Sequence, residues 1–200
     1  MTPDLYRGNS ILVRPIQPDD MSLLHEWLKS PSFAFYRPSL GILCPTVELL
    51  RERFAALAEI EPPLEIEVLV LHRATLAAVG LMSLSGIDPL NRKAEFSMGF
   101  VRGQGTRCTM EALHFALEHA YATMNLRKLV FYAAADNSRA VGLMRHWGIP
   151  EEGLLRGELL LADGRAADLR RFALFKEEWE SGPLRQQLRK LVPLVPLEIE

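Results

Sequence analysis

The stretch Phe100-Val-Arg-Gly-Gln-Gly-Thr-Arg107 holds the densest chemical signal in the chain. Glycines at 103 and 105 let backbone N–H groups come close to a ligand, because no side chain stands in the way. A helix starting just after them adds unpaired amide donors and positive potential, and Arg102 and Arg107 add full charges. That combination suits a phosphate-bearing anion held at a strand-to-helix junction. It is equally the pattern of an ordinary tight turn, so spacing alone leaves both readings open.

Other reactive side chains carry less. Cys108, at the start of the following helix, has no His and Asp arrangement assignable to it, and reads better as a small buried thiol than as a nucleophile. His114 and His119 lie on the same helix with nothing to pair them as metal ligands. Cys44 and Cys108 form no spaced cluster with histidines, so neither a zinc site nor a disulfide framework is expected. No metal is expected, and a reducing cytoplasm is the simplest compartment.

The elements that must position these groups can be read from periodicity. Residues 10–16 open as a strand, and Pro18-Asp-Asp20 supplies caps for a helix through Leu23, Leu24 and Trp27. Residues 30–45 hold three prolines, a glycine and several aromatics, and read as a long loop. Thr46 is placed to cap a helix whose Leu49, Leu50, Phe54 and Leu57 share a face. Three strands follow, over 65–71, 76–84 and 94–101, with Asp88-Pro and Asn91 at a turn. Residues 106–124 turn helical, with Leu113, Ala116, Leu117, Ala120 and Met124 on one face. A strand over 129–134 and a helix over 137–147 come next, the helix stopped by Gly148 and Pro150. Strands over 153–161 and 166–175 flank Ala162-Asp-Gly-Arg165, a hairpin signal. Residues 183–200 begin amphipathic and then carry Pro193 and Pro196; they are expected to form a C-terminal tail, leaving residues 1–182 as the domain. The order β-α-α-β-β-β-α-β-α-β-β predicts an α/β (α+β) fold, a mixed sheet with one parallel crossover through the helix over 106–124.

Whole-chain properties bound the function. Two hundred residues suffice for one domain and one core. A net charge of -2 argues against a general nucleic-acid binder, even with a basic helix over 184–191. The most apolar stretch, residues 68–84, is interrupted by His72 and Arg73 and is short for a bilayer span, so no membrane association is expected. The first dozen residues carry Asp4 and Arg7 and lack a signal-peptide core.

The segment from Arg102 to Gly105 resembles the cofactor motif of the GNAT acetyltransferases, Arg/Gln-x-x-Gly-x-Gly/Ala. A collinear series supports it: Glu111-Ala-Leu113, His119-Ala-Tyr121, Leu126-Arg-Lys-Leu129, Ala135-Asp-Asn137, Ala140, Gly148, Glu152-Gly-Leu-Leu-Arg156, Asp163-Gly-Arg165 and Glu177-Glu-Trp179. Ile11-Leu-Val-Arg-Pro15 and Trp27 fit the branch of ribosomal-protein N-terminal and spermidine acetyltransferases. The likeness runs over residues 8–180. It departs from the family at Arg107, where Gly or Ala is usual, and in a step to Glu111-Ala112 that is about two residues longer.

The resemblance implies a GNAT fold, a mixed central sheet with splayed parallel strands flanked by helices, with acetyl-CoA as co-substrate in the gap. Backbone groups at Phe100 and Val101 would hold the pantetheine. Arg102, Gly103, Gln104, Gly105, Thr106 and Arg107 would face the pyrophosphate. Asn137 would hydrogen-bond the cofactor as well as cap its helix. Glu95, on the strand beside the thioester, would serve as base through water; an ordinary strand glutamate paired with an arginine is the structural alternative. A lysine-like amine of pKa ~10.4 needs about 4.6 kcal/mol to deprotonate at pH 7, so a base helps. Where many members carry a tyrosine acid, the register Asn137-Ser-Arg-Ala-Val-Gly-Leu-Met144 puts methionine, which leaves Tyr132 or His146 as substitutes.

The acceptor is expected opposite the cofactor, beside residues 30–45, with Phe33, Phe35, Tyr36 and Arg37 as walls unless those aromatics merely anchor the loop; Arg37 would favour an anionic acceptor. The expected substrate is a small-molecule or peptide amine, acetylated by direct attack in a ternary complex, and a homodimer is allowed. An acetyltransferase for an amino sugar or another biosynthetic intermediate, and a CoA-binding homologue without turnover, are the competing readings.

Overall fold

The computed structural model describes residues 4–30, 33, 36, 38–102, 105–161 and 164–195. Strands β1 (Tyr6–Arg7), β2 (Ile11–Pro15), β3 (Ile66–His72), β4 (Ala78–Asp88), β5 (Lys93–Phe100), β6 (Lys128–Ala134), β7 (Glu151–Leu160) and β8 (Ala166–Phe175) form one sheet. Its order is β1-β2-β3-β4-β5-β6-β8-β7. Every neighbouring pair is antiparallel except β5 and β6. The parallel pair is joined by α4 (Arg107–Glu118), continued by a wider helical turn over His119–Thr123. A parallel pair needs such a crossover, and this one supplies it.

Both faces of the sheet are covered, which is why its middle strands are rich in Val and Leu. Side chains alternate across β3: Val68 and Val70 join Phe96, Leu113, Leu117, Phe131 and Phe172 in one core, while Leu69 joins Met21, Leu24, Trp27 and Leu50 in another. The second core lies under α1 (Met21–Leu28), α2 (Pro38–Leu43) and α3 (Val47–Ala58). The first lies under α4, α5 (Ser138–His146), α6 (Lys176–Ser181) and α7 (Pro183–Leu191). Each fully buried Leu, Val or Phe contributes about 1.5–3 kcal/mol relative to exposure.

Several expectations are corrected. Residues 30–45 are not all loop, since α2 occupies part of them. Leu49 is 43% exposed, so only Leu50 and Phe54 of the four α3 residues pack in the core. Thr46 does cap α3, its hydroxyl accepting from Leu49 N at 3.3 Å. Asp20 does not cap α1 through its side chain; it takes a two-pronged contact from Arg14 at 2.7 and 2.8 Å and the Gln17 amide at 2.7 Å. Strand β1 and helix α6 add to the expected elements.

The segment after residue 182 packs on α4 of the same chain. Arg185 forks onto Glu118 at 2.8 and 3.0 Å, and the Val192 carbonyl meets His114 Nδ1 at 2.8 Å. Beside it, the β1–β2 hairpin closes over the start of α4, with Asn9 Nδ2 donating to the Pro193 carbonyl at 3.2 Å. The buried Glu111 carboxylate there accepts from Tyr6 Oη at 3.0 Å and from the amides of Asn9 and Ser10 at 2.7 and 2.8 Å. Under these two adjoining segments, Glu111 and His114 are buried alongside the apolar residues of α4.

Candidate active site

The β5–β6 ladder joins Lys93 to Lys128, Ala94 to Leu129 and Glu95 to Val130, and extends no further among the described residues. Beyond Glu95 the strands run on to Phe100 and Ala134 with a cleft of about 720 Å³ between them. Residues 96–100 and 131–134 form its walls, and α4 and α5 contribute Thr109, Leu113, Ala140, Leu143 and Met144. Strand edges facing an opening present backbone donors and acceptors to whatever enters, as a sheet edge does for an added strand. The amide-linked pantetheine arm matches that requirement, and the volume is in the range of small-ligand sites, about 300–1,000 Å³.

One end of the cleft lies where the strands give way to helices. Gly105 has φ +76°, a left-handed conformation that L side chains rarely adopt, and it lines the cleft. Thr106 is the N-cap of α4 in extended geometry, and Arg107 is the first helical residue. The first amides of a helix have no intrahelical acceptor, and here they provide the positive potential. Phe100 and Asn137 also line the cleft, and the Asn137 side chain accepts from Ala140 N at 3.1 Å, capping α5. The Val101 amide donates to the Val79 carbonyl at 2.9 Å, so Phe100 is the one of the two backbone positions that faces the opening. Val101, Arg102, Thr106 and Arg107 stand outside the lining, and Gly103 and Gln104 lie outside the described residues.

The polar and titratable side chains of the cleft lining include Glu95, Ser97, Ser85, Tyr132 and Glu158. Glu95 pairs with Val130, which places Tyr132, two residues on, on the same face of the sheet. Burial pushes the Tyr132 phenol above its ordinary value; the Arg171 guanidinium pulls it down, and the carboxylates of Glu95, Glu158 and Glu152 push it further up. Arg171 stands 5.9 Å from the centre of the Tyr132 ring and is held by Glu152 at 3.0 Å. Met144 lines the same space. His146, at the exposed end of α5, does not, so of the two substitute acids only Tyr132 reaches the cleft.

Of the expected acceptor walls, Tyr36 lines the cleft and stacks edge-on to Phe33 with ring centres 5.2 Å apart. Both rings lie against the backbone of Gly99, where a Cβ would come within 3.0 Å of each. Phe35 and Arg37 lie outside the described residues.

Cys108 is half-buried with its thiol directed at the Ser10 carbonyl, 3.7 Å away, and burial raises its pKa, the opposite of what a nucleophile needs. His119 stacks on Phe115, and burial lowers its pKa. Among the described residues no group of three or more His, Cys, Asp or Glu side chains converges as metal ligands would. Sequence reasoning missed Glu158 and Arg139 in the cleft. Glu158 sits in a hairpin whose bulge between Leu155 and Leu159 breaks simple alternation. Arg139 has, in sequence, the character of any exposed helix residue, and no signal there separates it from its neighbours.

Residues 10–149 match the family model described as acetyltransferase (GNAT) domain. The chain is similar to the spermidine N(1)-acetyltransferase of Vibrio cholerae, 29% identical over 111 residues that cover 55% of this chain and 64% of that protein. It is likewise similar to a Bacillus subtilis protein provisionally named ribosomal N-acetyltransferase YdaF, 29% identical over 116 residues covering 58% of this chain and 62% of the relative. The matches thus span less than two thirds of the length of these two relatives. Among solved structures, a point mutant of the spermidine N-acetyltransferase SpeG from Vibrio cholerae shares the fold, with TM-score 0.74 at 21% identity over 86% of this chain and 97% of the other. With the family's model covering well over half of its length, the chain belongs to the acetyltransferase (GNAT) domain family.

Proposed function

We propose that this protein is an N-acetyltransferase that moves the acetyl group of acetyl-CoA onto a primary amine by direct attack in a ternary complex. The observation that carries the reading is the parting of β5 and β6 after Glu95, with an anion-suited helix start at one end and paired acid–base candidates at the other. Phe100 and its neighbours on the open strand edge would align the pantetheine, the first amides of α4 would hold the diphosphate, and Asn137 would add a side-chain hydrogen bond.

Acetyl-CoA supplies the acetyl group as a thioester whose thiol, pKa ~8.5, is a competent leaving group. Glu95 takes the ammonium proton of the acceptor through water, freeing the nitrogen lone pair to bond the acetyl carbon. Tyr132 gives its phenolic proton to the sulfur as the carbon–sulfur bond breaks, and the second proton of the attacking nitrogen passes through water to the phenolate, leaving a neutral amide and the CoA thiol. The raised pKa of Tyr132 keeps the phenolic proton in place at neutral pH.

The acceptor suited to this site is cationic. Glu95 and Glu158 both face the cleft beside Ser85 and Ser97, a set that attracts an ammonium and repels a phosphate or carboxylate. Relatives named for spermidine acetylation agree with a polyamine, and a protein N-terminus meets the same chemical requirement. An anionic acceptor, expected from Arg37, is the competing reading, and Arg37 lies outside the described residues. Two free cysteines suit a reducing cytoplasm. No helix among the described residues is long and apolar enough to cross a membrane.

Thiol release from acetyl-CoA, measured with spermidine, a peptide with a free N-terminus, an amino sugar and an anionic amino acid, tests the proposal. Turnover with a cationic amine supports it, and acetylation of the anionic acceptor alone overturns the acceptor assignment. Met144 in the cleft favours a second reading, a CoA-binding protein without catalysis. CoA binding with no thiol release on any amine would establish that reading instead.

A further inference from the structure

We infer that Glu158 selects acceptors carrying a second positive charge, aimed into the cleft by a bulge in β7 that Asp168 pins; this rests on the cleft being an acetyltransferase site for cationic amines. The register of β7 against β8 breaks between Leu155, paired with Leu169, and Leu159, paired with Ala167. Arg156, Gly157 and Glu158 therefore stand opposite the single residue Asp168. Successive residues of a regular strand point to opposite faces, yet Glu158 and Leu159 both line the cleft. The extra residues of the bulge turn Glu158 inward.

Two features hold the bulge. Gly157 has φ +60°, a left-handed conformation that favours glycine. Its amide donates to Asp168 Oδ1 at 2.7 Å. Asp168 is fixed in turn, because its carbonyl accepts from the Ala135 amide, just past the end of β6, at 2.8 Å.

The carboxylate so aimed is placed for a ligand. Glu151 and Glu152, on the same strand, are engaged by Arg145 and Arg170 and by Lys128 and Arg171. Among the described residues no hydrogen bond or ion pair engages Glu158, and its charge reaches the Tyr132 phenol, which it helps push up. The order β5-β6-β8-β7 sets Tyr132, the proposed acid, between Glu95 and Glu158. The reacting nitrogen belongs beside Glu95 and the thioester, so what meets Glu158 is a part of the acceptor farther from that nitrogen. A group held by a carboxylate keeps its proton and its charge, which suits a second ammonium; an apolar chain end gains nothing there.

Thiol release from acetyl-CoA, measured with 1,4-diaminobutane and 1,5-diaminopentane against butylamine and pentylamine, tests this. The unsubstituted protein is expected to favour the diamines in kcat/KM by about 10-fold, the lower end of the range for a hydrogen bond to a charged group. Glu158→Gln, at an exposed position, should shrink that preference toward parity while the melting temperature holds. Asp168→Ala should shrink it as well, and Asp168→Asn, which keeps an acceptor for the Gly157 amide, should retain it. A merely structural Asp168 would move the melting temperature and leave the preference alone, which overturns its positioning role. Turnover with no diamine preference, or a preference that survives Glu158→Gln, overturns the inference and leaves the acetyltransferase reading standing. No thiol release from the unsubstituted protein with any amine overturns that reading itself.

Discussion

Gly8 lies so close to Glu111 that a Cβ on the glycine would stand 2.1 Å from the carboxylate oxygen Oε1. The contact exists because the β1–β2 turn folds over the first turn of α4, giving Glu111 two backbone amides and the Tyr6 hydroxyl. A buried carboxylate with three donors stabilises the fold where an unpaired one would cost several kcal/mol. Gly8→Ala forces this arrangement apart and is expected to lower stability by about 1–3 kcal/mol. Glu111→Gln, which leaves at least one donor poorly matched, should cost about 1–3 kcal/mol as well. Chemical denaturation measures both, and a midpoint unchanged in either variant would contradict the account.

Glu118 gives stability a definite pH dependence. Burial pushes its carboxyl up, but contact with His114 and the fork of Arg185, with the charge of Arg189, outweigh this and hold it down to about 2. His114 Nε2 is 3.8 Å away, beyond hydrogen-bond length, so we ascribe most of the effect to Arg185. A folded pKa below the unfolded value means this stabilisation is complete above about pH 4.5 and disappears as pH falls toward 2. Melting temperatures from pH 7 to pH 2 should therefore fall more steeply for the unsubstituted protein than for Glu118→Gln. Parallel curves would show that the α4–α7 ion pair contributes nothing.

Tyr132→Phe removes the proposed acid without disturbing the packed ring. It should lower kcat by about 10²-fold, the lower end of general-acid effects, because a thiolate leaves without help at modest cost. Adding Met144→Tyr to that variant places a phenol on the neighbouring helix within the same cleft, and should restore part of the rate. The high phenol pKa predicts no alkaline loss of kcat below about pH 10 in the unsubstituted enzyme. Equal kcat in Tyr132→Phe removes this residue from the chemistry.

Glu95→Gln should lower kcat/KM by about 10²-fold at neutral pH. The deficit should shrink as pH rises toward the pKa of the acceptor amine, since solvent then does the deprotonation proposed for Glu95. A deficit that stays constant with pH would assign Glu95 to acceptor binding.

The sheet is legible in the sequence because its signals are local. Alternation in β3 and β4, the Asp-Pro and Asp-Gly turns, and the change of period at residue 106 each mark one element. What sequence does not reveal depends on tertiary cover. Helix α2 is only six residues long and begins at Pro38, in a stretch whose prolines and aromatics signal a loop. Glu111 and His114 resemble the polar side of an amphipathic helix until α7 and the β1–β2 hairpin close over them. In the cleft, Glu95, Phe100, Gly105, Tyr132 and Asn137 are legible because motif and strand order point there. Glu158 and Arg139 are not, because one follows a bulge and the other enters the cleft through the reach of a long side chain.

A crystal structure of the complex with CoA tests the central claim most directly. The account predicts pantetheine lying between residues 96–100 and 131–134, with diphosphate oxygens within hydrogen-bond distance of the first amides of α4. CoA seated elsewhere, or β5 and β6 continuing their ladder beyond Glu95 and Val130, would contradict it.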